Sequence, residues 1–144
     1  MSLPHLLLLN FTLAAYLTGV IWVVQLVTYP ALTLVGKPEF ARYHAAHTRG
    51  MGWAVGAPMV AELALAAWLA WVTYPIWGAG RALGQLALVL VAWAVTFLVS
   101  VPFHHRLAAG GYNYIALDGL TRTNWLRTLA WTVRTAWLGA VLLG

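Results

Sequence analysis

Residues 52–73, GWAVGAPMVAELALAAWLAWVT, form a run of 22 positions with a single charged side chain, Glu62. A helix needs about 20 mainly apolar residues to cross a hydrocarbon layer of roughly 30 Å, so this run reads as a membrane span. It shows no period-two alternation of the kind a barrel strand requires. Three other segments share its character: residues 5–28, 83–101 and 124–143. Proline disfavours helix in the residue before it, so Tyr29-Pro30, Tyr74-Pro75 and Pro102 are expected to close the first three. The sequence therefore predicts an all-α fold, an integral membrane bundle of four transmembrane helices (about 5–28, 52–73, 83–101 and 124–143) in one domain, 1–144. A short interfacial helix is expected between helices 1 and 2. It begins at Pro38 and sets Phe40, His44 and His47 on one face, with Arg42 and Arg49 elsewhere.

Composition points the same way. Of 144 residues 62% are hydrophobic and 8% charged, against about 25% charged in a soluble domain. Eight Lys plus Arg against three Asp plus Glu give +5, too little to argue for nucleic acid as a partner. The absence of cysteine removes disulfides, thiolate metal sites and a cysteine nucleophile. Lys37, Arg42 and Arg49 in the first link, with Arg106 and Arg122 in the third, mark the cytoplasmic side. The expected location is a cell (inner) membrane, multi-pass, with both termini outside and the two longer loops cytoplasmic.

Two charges lie well inside the apolar spans. Glu62 and Arg134 each stand ten positions into helices that start from the cytoplasmic side, about 15 Å deep by helix rise. Isolated charges at that depth are costly, so equal depth predicts a pair. Such a pair either fixes helix order or lines a substrate cavity or proton path. Asn124, Arg127, Trp131 and Arg134 follow one helical stripe, and Thr18, Trp22, Gln25 and Tyr29 another. Arg127 has two readings: it snorkels to headgroups, or it faces inward and stabilises an anion. Four of the five histidines, His44, His47, His104 and His105, gather at one membrane face. They offer a general base with a pKa near 6.5, or ligands for a metal, with lipid and water as their partners otherwise.

Three short motifs carry a resemblance. Val101-Pro102-Phe103-His104-His105-Arg106-Leu107, then Asn124-Trp125-Leu126-Arg127-Thr128, together with Tyr29-Pro30-Ala31-Leu32, resemble the anthrone-oxygenase-like family of small four-helix membrane proteins. Many members have Asn where His104 stands, and Asn124-Trp125 reverses the family's aromatic–amide order. The resemblance implies oxidation of anthrones to anthraquinones by molecular oxygen, with no cofactor required, and points to His104, Asn124 and Arg127.

The function expected is a membrane oxidoreductase or oxygenase acting on a lipophilic aromatic or quinone-like molecule near the cytoplasmic face. His104, His44, Arg127 and Asn124 are the expected catalytic groups. Gln25, Tyr29, Trp22, Trp131, Glu62 and Arg134 are expected to bind substrate. The alternatives are a metal or haem protein using His44, His47, His104 and His105 (iron, copper or zinc), and a small proton-coupled transporter with Glu62 as carrier. Expected partners are lipid, the small molecule and a second copy of the chain.

Overall fold

The computed structural model describes all 144 residues, and the chain is all-helical with no strand. Three helical runs follow one another: α1 (Leu3–Leu32), α2 (Lys37–Gly110) and α3 (Tyr114–Leu143). The first two are long and apolar enough to cross a membrane. In α3 four charged residues, Asp118, Arg122, Arg127 and Arg134, interrupt the apolar sequence.

The middle run is two rods joined at a break. Gly78 has φ 75° and ψ 167°, a left-handed backbone that glycine adopts without the Cβ clash other residues meet. Beyond it the chain comes back alongside itself, since the Gln85 side-chain amide donates to the Ala66 carbonyl at 2.9 Å. Residues 37–77 and 79–110 are thus two antiparallel arms. Gly111 (φ 73°) makes the other sharp turn, and Asn113 then caps α3 by accepting from the Ala116 N–H at 3.0 Å.

Two sequence expectations about helix ends are corrected. Residues 38–49 are not a separate interfacial helix; they are the first turns of α2 and run into the apolar span without a break. Helix also continues through Tyr29-Pro30, Tyr74-Pro75 and Val101-Pro102. Proline removes one N–H, and the chain adjusts by widening before two of these prolines. Val24–Thr28 and Thr96–Ser100 are π-helical turns, each ending two residues before a proline.

Packing places polar groups inside and apolar ones outside. Eleven polar or charged residues are buried, whereas Trp53, Trp71, Leu98 and Ile115 are each at least 75% exposed. α1 and α3 lie antiparallel, joined by Thr18–Thr135 at 2.8 Å and by the Trp22 indole N–H donating to Thr132 Oγ1 at 3.0 Å. One apolar cluster (Leu6, Leu7, Ala14, Leu69, Leu138) fills the end nearer the Gly78 break. A larger one, including Leu17, Phe40, Leu107 and Leu120, fills the other.

Candidate functional site

Between these clusters sits a closed polar centre. Arg134 Nη1 donates to Glu62 Oε1 at 2.8 Å, both side chains being fully buried. Arg134 Nη2 donates to Asn10 Oδ1 at 2.7 Å and to Gln85 Oε1 at 3.2 Å. The second carboxylate oxygen accepts from the Trp131 indole N–H at 2.8 Å. Asn10 and Gln85 then give their own N–H groups to the Leu65 and Ala66 carbonyls. One polar residue from α1, from each arm of α2 and from α3 thus meets at one depth. The expected Glu62–Arg134 contact is present, but neither residue lines the large cavity beside it.

Two helical turns away along α3 the arrangement opens. A cavity of about 430 Å³ lies between α1, both arms of α2 and α3. Its polar wall includes Tyr29, His44, His47, Ser100, His104 and Arg127; its apolar wall includes Ile21, Val24, Val55 and Met59. The Trp131 ring forms its floor, and the indole N–H on the other side reaches Glu62, so one side chain separates the cavity from the closed centre.

The π turns explain why these groups converge. Relative to a regular helix of the same sequence, a π turn sets the residues after it back around the axis. Tyr29 comes directly after the first π turn, and His104 stands four positions past the second. Phe40 buries the start of α2 against Tyr112 (5.5 Å, edge to face) and stacks on His44 (5.6 Å). That packing holds His44 at 2% exposure.

A guanidinium can only donate, so Arg127 Nη2 gives a hydrogen bond to the Tyr29 hydroxyl, 3.1 Å away. The hydroxyl also meets His104 Nε2 at 3.3 Å, and His104 Nδ1 shares a hydrogen bond with His44 Nε2 at 3.0 Å. His47 lies 5.9 Å from His104, ring to ring, and makes no hydrogen bond within the protein.

Arg127 is the unusual member. It is 7% exposed and bonds only neutral acceptors: Asn124 Oδ1 from Nε at 2.9 Å, Thr96 Oγ1 at 3.2 Å and the Tyr29 hydroxyl. All three carboxylates are engaged elsewhere, Glu39 with Arg42, Asp118 with Arg122 and Glu62 with Arg134. A buried cation at a cavity wall is therefore left without a negative partner. Ser100 Oγ, buried on the same wall, has no hydrogen-bond partner either.

Of the expected site residues, Tyr29, His44, His47, His104, His105, Arg127 and Trp131 line the cavity. Trp22, Gln25, Asn124, Glu62 and Arg134 do not. Asn124 instead holds Arg127 in place and is itself held by Gln25 Oε1, which accepts from Asn124 Nδ2 at 2.9 Å. Trp22 packs edge to face on Trp125. The expected metal set is not arranged as one: no group of three or more His, Asp or Glu side chains is placed to hold an ion. The reason is local, since the His44–His104 bond and the Tyr29–His104 bond engage three of the needed ring nitrogens. Thr96 and Ser100 also line the cavity.

No protein-family model, no curated protein and no solved structure matches the chain.

Proposed function

We propose that the chain is a membrane-embedded oxygenase of a lipophilic aromatic substrate that ionises at a ring oxygen, with Arg127 as the group that stabilises the anion. In this reading it crosses a cell membrane four times, as α1, the two arms of α2, and α3, with both termini outside. The Gly78 reversal and the apolar exterior support the four crossings. The observation that carries the function is the buried Arg127 guanidinium with no carboxylate within reach. A positive charge held by neutral dipoles in an apolar wall favours a ligand that becomes negative. Ser100 Oγ supplies a second, unused polar contact.

The side chains supply the chemistry. His47, whose ring nitrogens are free, takes a proton from the acidic carbon of an anthrone-like substrate. The enolate oxygen that forms rests against Arg127 and the Tyr29 hydroxyl. The negatively charged ring gives its electrons to molecular oxygen, a C–O bond forms, and loss of water from the resulting hydroperoxide leaves a quinone. One anthrone and one oxygen molecule thus give one anthraquinone and one water. The resemblance of the Tyr29, His104 and Asn124–Arg127 motifs to the anthrone-oxygenase-like family agrees with this sequence of steps.

Anthrone added to the purified protein in mild detergent should consume oxygen and develop anthraquinone absorbance. Arg127→Met should slow this by about 10²–10³-fold, the usual effect of removing one group that stabilises a developing anion. Oxidation no faster than in buffer, or full activity in Arg127→Met, would overturn the proposal.

A further inference from the structure

The two arms of α2 touch at two levels. At one, His44 meets His104 at 3.0 Å; at the other, Gln85 meets the Ala66 carbonyl at 2.9 Å. Between these levels Gly52 and Gly56 from the first arm and Phe97 and Val101 from the second all line the cavity. A Cβ added at Gly52 or Gly56 would meet no atom within 4 Å, so the gap is unfilled and no packing demand calls for glycine there. Neither glycine has a positive φ, so backbone conformation does not call for it either. In a helix each glycine costs about 1 kcal/mol relative to alanine, and of the helical glycines with open space where a Cβ would be, only these two line the cavity.

Phe97 on the cavity wall is 53% exposed, and Trp53 and Leu98, the chain neighbours of Gly52 and Phe97, are 84% and 75% exposed. An opening onto water would be edged by polar side chains, whereas these suit acyl chains.

We propose that Gly52 and Gly56 form a sideways doorway from the lipid into the cavity, wide enough for a flat polycyclic molecule that reaches Arg127 without passing through water. This deepens the oxygenase reading, because it assigns that reading's substrate to the membrane phase. The missing side chains set the width of the passage, so residue size at 52 and 56 selects among ligands by bulk.

The chain has no cysteine, which allows a single reporter thiol. Met51→Cys places that thiol on the cavity wall one turn from His47, whose imidazole assists formation of the reactive thiolate. The protein is reconstituted in phosphatidylcholine vesicles. A pyrene maleimide dissolved in the lipid should label it, and a sulfonated maleimide in the water should not. Adding Gly52→Leu and Gly56→Leu should slow pyrene labelling by about tenfold or more, equivalent to about 1.4 kcal/mol of barrier. A series of Ala, Val and Leu at Gly56 alone should slow it in that order, which keeps the test readable if the double variant folds poorly. Equal labelling from water, no labelling by either reagent, or a rate indifferent to both glycines overturns the doorway. Labelling needs no catalysis: loss of anthrone oxidation with size-dependent labelling intact refutes the oxygenase alone, and the converse refutes the doorway alone.

Discussion

Arg127 and Arg134 lie seven residues apart on α3, about 10 Å along one helix face, and both are buried. Arg134 meets a carboxylate, two amide oxygens and no open space. Arg127 meets an amide, two hydroxyls and a cavity. The same side chain thus serves two ends. Where the charge is balanced it ties the rods together, and where it is unbalanced it waits for an anion. Burial alone does not mark a site; burial without a counter-charge, beside unfilled volume, does.

The comparison breaks most readily at the closed centre. Glu62→Ala or Arg134→Ala each strands a buried charge, a loss of about 3–5 kcal/mol, and should depress folded yield and melting temperature sharply in detergent. The double variant should be less damaged than the two losses added together, because neither charge is then stranded. Strict additivity would show that the pair does not act as a unit. At the open centre Arg127→Met should do the opposite. Anthrone oxidation falls, while the melting temperature holds or rises, because an unbalanced charge has left the interior.

Trp131 touches both centres, so its replacement reports on their separation. Trp131→Phe keeps the ring over the cavity but leaves Glu62 Oε2 without its donor, which should lower stability by about 1–3 kcal/mol in thermal melts.

How much of the molecule was legible in the sequence depends on the kind of signal. Glu62 and Arg134 could be paired because depth in an apolar helix is countable, and two charges at equal depth have few other options. Asn10 and Gln85 carried the same signal more faintly, as lone amides in apolar runs, and joining them required knowing which rods adjoin. The gathering of His44, His47 and His104 came from topology. Their mutual bonding did not, and it engages nitrogens a metal would need. Prolines at 30 and 102 looked like stop signals because the usual response to a missing N–H is to end the helix. The widened turns that let the helix continue leave no periodic trace in side-chain type.

Those widened turns also bear on what such a rod tolerates. In each rod five residues occupy roughly the arc that a regular helix gives to four, so the turn takes in one extra residue while the rod on either side keeps its register. Such a rod tolerates a change of one residue in length without redesign of its outer surface. Deleting one residue from 24–28 should let the turn close to a regular helix, with Tyr29 still against Arg127 and the Arg134 half of the molecule as it was.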